Sequence, residues 1–246
     1  MKKYRFLSLL LLFPMVLTLF TAPAAALEEP DLFCTNAVLL DANYNEVLYD
    51  KGAYEKAYPA SITKVMTALL VLEAIQEGKF APDTPITASA SAAQIPEGSS
   101  TANIKAGEVL TVEQLLYCLL LPSANEAAQI LAEAVDGDQA AFVEHMNQRA
   151  KELGMTDTHF VNCTGLPAQG HLTSAHDIAL MSRELILNHP SIREYTTIWM
   201  DSIRNGAFGL TNTNRLIRFY QGATGLKTGS TDSALYCMSA TAERDG

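Results

Sequence analysis

The chain has 246 residues, 48% of them hydrophobic and 18% charged, which is enough for one sizeable core with room for a second lobe. A formal charge of −10 makes it a poor partner for nucleic acid or an anionic membrane. Its four cysteines and five histidines are scattered without metal-ligand spacing, so no metal site is expected.

Lys2, Lys3 and Arg5 precede an apolar run from Phe6 to Phe20, interrupted by Pro14 and followed by small residues at 21–26. This is the pattern of a secretory signal peptide, with cleavage after Ala26 or Ala24, and it is too short and broken for a membrane span. The protein is therefore expected to be secreted and extracytoplasmic, at the cell envelope. Losing those three positive charges takes the balance from −10 to −13. Bulky Phe33 before Cys34 argues against a lipidated cysteine.

Residues 36–49 read as a hairpin, with Ala37–Leu40 and Glu46–Tyr49 flanking the turn-rich stretch 41–45. A helix is expected from Ser61 to near Gly78. Ile62, Val65, Met66, Leu69, Leu72 and Ile75 recur on one face, and no charge falls between Val65 and Leu72. A helix so apolar is buried. Residues 79–110 read as loops with short extended pieces. Thr111 and Gln114 form a capping box opening a leucine-rich helix that stops before Pro122. Further helices are expected over about 125–135, over 138–153, and after Ser174, which caps a run holding Ile178, Met181 and Leu185. Beyond Pro190, Thr, Ile, Tyr and Phe between Gly and Asn suggest strands, with Gly225–Thr228 and Leu235–Thr241 as candidates. Cys118, Cys163 and Cys237 lie in apolar or element-forming stretches and are expected to be unpaired. Strands at both ends with helices between them imply an α+β fold with a helical lobe at about 80–190.

Three short motifs carry chemistry. Lys64 follows Ser61 by one turn on a helix expected to be buried, and burial lowers a lysine's pKa. A neutral amine beside a hydroxyl is a general base beside a nucleophile. The bland alternative is a serine cap followed by a lysine that snorkels to water. Ser123-Ala124-Asn125 stands between two apolar helices. Ser123 with Glu126 would make a capping box there, which leaves Asn125 unexplained. Lys227-Thr228-Gly229 lies on an expected strand, where the lysine could face solvent, but a strand glycine marks close approach of another backbone.

Ser-x-x-Lys, Ser-x-Asn and Lys-Thr-Gly in this order resemble the penicillin-binding proteins and serine β-lactamases. Segments 58–64, 119–125, 158–162 and 225–229 are most similar to the low-molecular-weight D-alanyl-D-alanine carboxypeptidases. The resemblance covers about residues 33–246. It implies a β-lactamase/transpeptidase-like fold, with an antiparallel sheet, flanking helices and a catalytic domain over 27–246. The implied substrate is a peptidoglycan stem peptide ending in D-Ala-D-Ala. β-Lactam antibiotics would be covalent ligands, and no cofactor is needed. Ser61 would be the nucleophile, Lys64 its base and Ser123 the proton relay. Asn125 would hold Lys64 and the substrate, while Lys227 and Thr228 attract the substrate carboxylate. The peptide would add along 227–231, with Gly229 leaving room, and the N–H groups of Ser61 and Ser230 would form an oxyanion hole.

A β-lactamase is the nearest rival and needs a deacylating carboxylate, for which Glu184 in Glu184-Leu185-Ile186-Leu187-Asn188 is the candidate. A non-catalytic penicillin-binding or sensing module is the other. The resemblance also implies a further inner strand, a C-terminal helix and a substrate-binding arginine beyond residue 246, with membrane association only through such a segment. The sheet is thus expected to be incomplete, with 234–241 and the 37–49 hairpin not paired to each other.

Overall fold

Residues 29–245 are described by a computed structural model, and the segment read as an export signal lies outside them. The expected hairpin is present. β1 (Ala37–Asp41) pairs antiparallel with β2 (Glu46–Lys51). Its turn is held by the Asp41 carboxylate, which accepts from the Asn43 and Tyr44 N–H groups at 2.9 and 3.0 Å.

The apolar helix begins later than its sequence suggests. Ala60–Thr63 form a 3-10 turn, and α1 runs over Lys64–Gln76, so Ser61 sits in the tighter turn and caps nothing. Ala60 takes φ +48, a left-handed conformation that costs an alanine about 1–2 kcal/mol. The helix itself matches its composition, because every residue from Lys64 to Leu72 is buried. Each fully buried Val, Leu or Met there contributes about 1.5–3 kcal/mol. α2 (Val112–Leu120), α3 (Asn125–Asp136), α4 (Gln139–Glu152) and α5 (Ala175–Asn188) all pack on α1.

Local signals set most helix starts. The Thr111/Gln114 capping box forms in full. Asp138 caps α4 by accepting from Ala141 N–H at 2.8 Å, and Ser174 caps α5 by accepting from Asp177 N–H at 3.2 Å. The Ser123/Glu126 box does not form. The residue before α3 is Ala124, with no side-chain cap, and the Glu126 carboxylate is engaged elsewhere. Within 79–110 the extended pieces are β3 (Pro85–Thr87) and β4 (Val109–Thr111), an antiparallel pair.

After a short helical turn α6 (Arg193–Thr196), β5 (Met200–Ile203) pairs with β6 (Phe208–Thr211). A second turn, α7 (Leu216–Phe219), leads into β7 (Ala223–Thr231) and β8 (Leu235–Ala242), the expected C-terminal pair with β7 longer than its sequence indicates. Buried Asn214 ties this region together by donating to the Gly225 carbonyl at 2.9 Å. Among the described residues every ladder is an antiparallel pair. β1–β2 and β7–β8 stand as separate sheets with no ladder between them. The cysteines are all free; Cys118 and Cys163 are buried and Cys237 partly so.

Candidate active site

The site forms where three parts of the chain meet at the N-terminal end of α1. The first is the 60–63 turn. The second is the corner between α2 and α3, where Ser123 takes φ +69, again left-handed for a residue other than glycine. The third is β7, which packs against the 60–63 turn.

Lys64 is the hub. Its Nζ lies 3.1 Å from Ser61 Oγ and donates to Asn125 Oδ1 and the Thr164 carbonyl, each at 2.7 Å. None of these partners is charged, and the side chain is fully buried. Burial pushes its pKa from 10.5 down to about 7, against weaker upward pulls from Cys163 and Glu126. A neutral –NH2 has two N–H bonds. Asn125 Oδ1 and the Thr164 carbonyl can only accept, so they use both, and the nitrogen lone pair is left facing the Ser61 hydroxyl. The motif spacing thus sets an amine lone pair against a serine hydroxyl.

The Thr164 carbonyl has no counterpart in the sequence reading. It comes from the 161–166 loop, which Asn162 shapes by accepting from Thr164 N–H at 3.1 Å and Gly165 N–H at 2.7 Å. Gly165 (φ +84) is pressed so close to the Ser61 turn that an added Cβ would sit 1.8 Å from the Ala60 carbonyl oxygen. His171 anchors the same loop. Its Nδ1 accepts from Val161 N–H at 2.8 Å, which leaves Nε2 as the N–H facing Thr63 Oγ1, also at 2.8 Å. Burial pushes this histidine's pKa down to about 4, so it holds one neutral tautomer at ordinary pH. The only hint in the sequence was the 158–162 segment, and it named no role.

Ser123 Oγ is buried with no hydrogen-bond partner. A hydroxyl in that position costs about 1–3 kcal/mol unless something else satisfies it. Lys227 is also fully buried. Its Nζ donates to the Thr228 carbonyl at 2.8 Å, and its pKa is driven well down by burial and then by the charge of Lys64. Like-charge repulsion from Lys64 thus adds to burial at Lys227. Thr228 Oγ1 donates to Thr213 Oγ1 at 2.6 Å. Ser230 is exposed, opposite Tyr236 on β8.

Gly229 is explained differently from the sequence reading. A Cβ on it would lie 2.8 Å from Ser61 N and 3.0 Å from Ala60 Cβ. The space it leaves is filled by the 60–63 turn, so this glycine lets β7 approach Ser61. Glu184 is not part of the site. It pairs with Arg149 at 2.6 Å, and Arg149 also pairs with Glu73, nine residues beyond Lys64 on α1. At 1.5 Å per residue that is about 13 Å along the helix.

Comparison with known proteins supplies a family. Residues 23–246 match the model of the D-alanyl-D-alanine carboxypeptidases, peptidase family S11. The chain is 42% identical over 212 residues to D-alanyl-D-alanine carboxypeptidase DacF of Bacillus subtilis, covering 85% of this chain and 54% of that protein. It is 34% identical over 218 residues to DacA of Escherichia coli K12, covering 87% and 54%. The chain thus spans about half the length of these curated relatives. Among solved structures, ampicillin-bound penicillin-binding protein D2 of Listeria monocytogenes is 35% identical with a TM-score of 0.78, covering 89% of this chain and 88% of that one. Penicillin-binding protein 6B of Escherichia coli is 32% identical with a TM-score of 0.83, covering 89% and 70%.

Proposed function

This chain belongs to the D-alanyl-D-alanine carboxypeptidase family, and from that premise we propose that it removes the terminal D-alanine from peptidoglycan stem peptides through an ester on Ser61. The observation that carries this reading is the set of Lys64 partners: two acceptor-only carbonyls hold the amine so that its lone pair meets Ser61 Oγ.

In this reading Ser61 Oγ forms a bond to the carbonyl carbon of the D-Ala-D-Ala peptide link as its proton moves to Lys64 Nζ. The negative charge on the carbonyl oxygen is met by the N–H groups of Ser61 and Ser230, a device worth about 3 kcal/mol per donor. The C–N bond then breaks, and Ser123 relays the proton from Lys64 to the leaving D-alanine nitrogen, which returns Lys64 to the neutral amine. The unpartnered Ser123 hydroxyl supports that role, since substrate would give it a partner. Asn125 fixes Lys64 and reaches toward the substrate. Lys227 and Thr228 receive the free carboxylate, whose charge offsets the desolvation that disfavours the Lys227 ammonium in the open site. Water then hydrolyses the ester and regenerates Ser61. A β-lactam would acylate the same serine.

Such a substrate places the protein outside the cytoplasm, in accord with the signal-like N-terminus. Among the described residues no helix is long and apolar enough to cross a membrane. The test is D-alanine release from a peptide ending in D-Ala-D-Ala by the full chain, beside covalent labelling with a fluorescent penicillin. Turnover with labelling, both lost in Ser61→Ala, is the expected result. Labelling of the alanine variant would place the nucleophile elsewhere. Stoichiometric labelling without D-alanine release would make the protein a penicillin-binding module and not a peptidase.

A further inference from the structure

Glu126 is 1% exposed and opens α3 immediately after Asn125. One of its carboxylate oxygens accepts three hydrogen bonds from a single loop: Thr101 Oγ1 and Ala102 N–H at 2.7 Å, and Ile104 N–H at 3.2 Å. Asn125 N–H adds a fourth link to that loop by donating to the Ser100 carbonyl at 2.9 Å. The other Glu126 oxygen is buried without a partner. A cap would explain a carboxylate at this position, but no cap forms. A loop clamp explains only one oxygen, because an amide carbonyl would accept the same three bonds. What remains unexplained is the burial of a negative charge one residue from the side chain that holds Lys64.

We propose that Glu126 is a positioning residue of the proposed reaction, acting through Lys64: one oxygen fixes the 101–104 loop on the Ser123–Asn125 corner, and the fixed negative charge stabilises Lys64 once it has taken the Ser61 proton. The inference rests on the reading of Ser61 and Lys64 as nucleophile and base. Proton transfer turns a neutral amine into an ammonium enclosed by neutral carbonyls. The titratable groups felt there are Lys227 from β7, Cys163 from the 161–166 loop and Glu126 from α3. Lys227 opposes the new cation and burial disfavours it. Burial keeps the Cys163 thiol protonated, pushed up to about 12, so Glu126 supplies the compensating charge. Behind Glu126 stand Cys118 on α2, its thiol also pushed up to about 12 by burial, and Arg204 on the β5–β6 turn, whose guanidinium is paired with Glu108 at 2.7 Å.

The experiment is the pH dependence of acylation by a fluorescent penicillin in the wild-type full chain, Glu126→Gln and Glu126→Asp. Glutamine keeps the three acceptor bonds and removes the charge. The rising limb, which reports loss of the Lys64 proton, is expected to move toward acid by about one pH unit in Glu126→Gln, with a several-fold lower plateau rate from the weaker base. Aspartate keeps the charge and loosens the clamp, so its rate is expected to fall while its limb stays at the wild-type pH. An unmoved limb in Glu126→Gln overturns the proposal. So does a limb that moves as far in Glu126→Asp, which would make loop placement the cause. If Glu126→Gln does not fold, Glu126→Asp decides by the opposite sign: a limb that stays at the wild-type pH beside a lowered rate supports the proposal, and a limb that moves overturns it. Failure of the underlying reading shows separately, as labelling that persists in Ser61→Ala or a wild-type rate with no rising limb.

Discussion

The two ends of α1 each hold a cation, and they treat it in opposite ways. At the C-terminal end Arg149 lies between Glu73 and Glu184, 2.8 and 2.6 Å from their carboxylates. Burial works against its charge there, and the two acids overcome that, so its pKa ends above the ordinary arginine value. At the N-terminal end Lys64 contacts only a hydroxyl, an amide oxygen and a backbone carbonyl, and burial brings it down to about 7. The compensated cation is locked in one state and joins three helices. The one with no acid in contact stands where a small change of environment moves its proton, which a base operating near neutral pH requires. Glu73, Glu184 and His189 are close enough together to suggest a metal site, but Arg149 already supplies their positive charge.

The largest break in this contrast is Lys64→Met. It removes the proposed base while keeping an apolar chain of similar length, and acylation is expected to fall by about 10³-fold with the fold retained. In the wild type the reactive form is the neutral amine, so acylation rises tenfold per pH unit on the acid side and levels off above about pH 7. Stopped-flow labelling across pH 5 to 9 checks both, and a flat wild-type profile contradicts the assignment.

Gly229→Ala is next. The new Cβ would lie 2.8 Å from Ser61 N and 3.2 Å from Ile62 N, and backbone amides in a packed turn cannot swing aside. The turn must shift, and displacement of that kind costs about 10²-fold in rate. Acylation kinetics should show it with only a small change in melting temperature. A variant of wild-type rate would mean that the turn can yield without consequence.

How much of this was legible beforehand differs between those two residues. Lys64 was readable, because a lysine inside an unbroken apolar helix has to be buried, and burial has a predictable sign. Gly229 was readable only as a place of close approach, since a glycine does not say from which side the other backbone comes. The Thr164 carbonyl was invisible, because a backbone oxygen carries no side-chain signature and its place depends on the fold of a loop 100 residues away. Ser123 was misleading. Its spacing to Glu126 fits a capping box, yet its left-handed backbone turns it off the helix and leaves the carboxylate for the 101–104 loop. The Arg149 cluster was hidden for the same reason as Thr164, as its members lie 76 and 35 positions apart in the chain.

At the other end of α1 the expected effects fall on stability. Arg149→Met leaves two carboxylates facing each other, both about one-fifth exposed. Partial solvent screening brings the loss to about 2–3 kcal/mol, below that of a fully buried pair. Urea unfolding measures it, and acylation per folded molecule should be unchanged. A rate that fell with stability would couple the two ends and undo the comparison.

Glu184→Gln makes the smallest and most discriminating change. Glutamine's one carbonyl oxygen can still accept from Arg149, while its NH2 takes the place of the oxygen that now accepts from Asn188 Nδ2 at 2.8 Å, an exposed contact whose loss costs little. Only one charge of a pair is lost, and Glu73 still neutralises Arg149, so the expected cost is about 1 kcal/mol or less. What matters is the lifetime of the acyl-enzyme. If Glu184 activated the deacylating water, as the Glu-x-x-Leu-Asn pattern invites, the variant would acylate normally and then accumulate the ester. Its pairing with Arg149 at the far end of α1 says that it touches neither Ser61 nor anything bound there. Single-turnover labelling followed by chase should therefore give the same deacylation rate in the wild type and Glu184→Gln. Selective accumulation of the ester in the variant would mean that this carboxylate reaches the site, and the β-lactamase reading would have to replace the carboxypeptidase one.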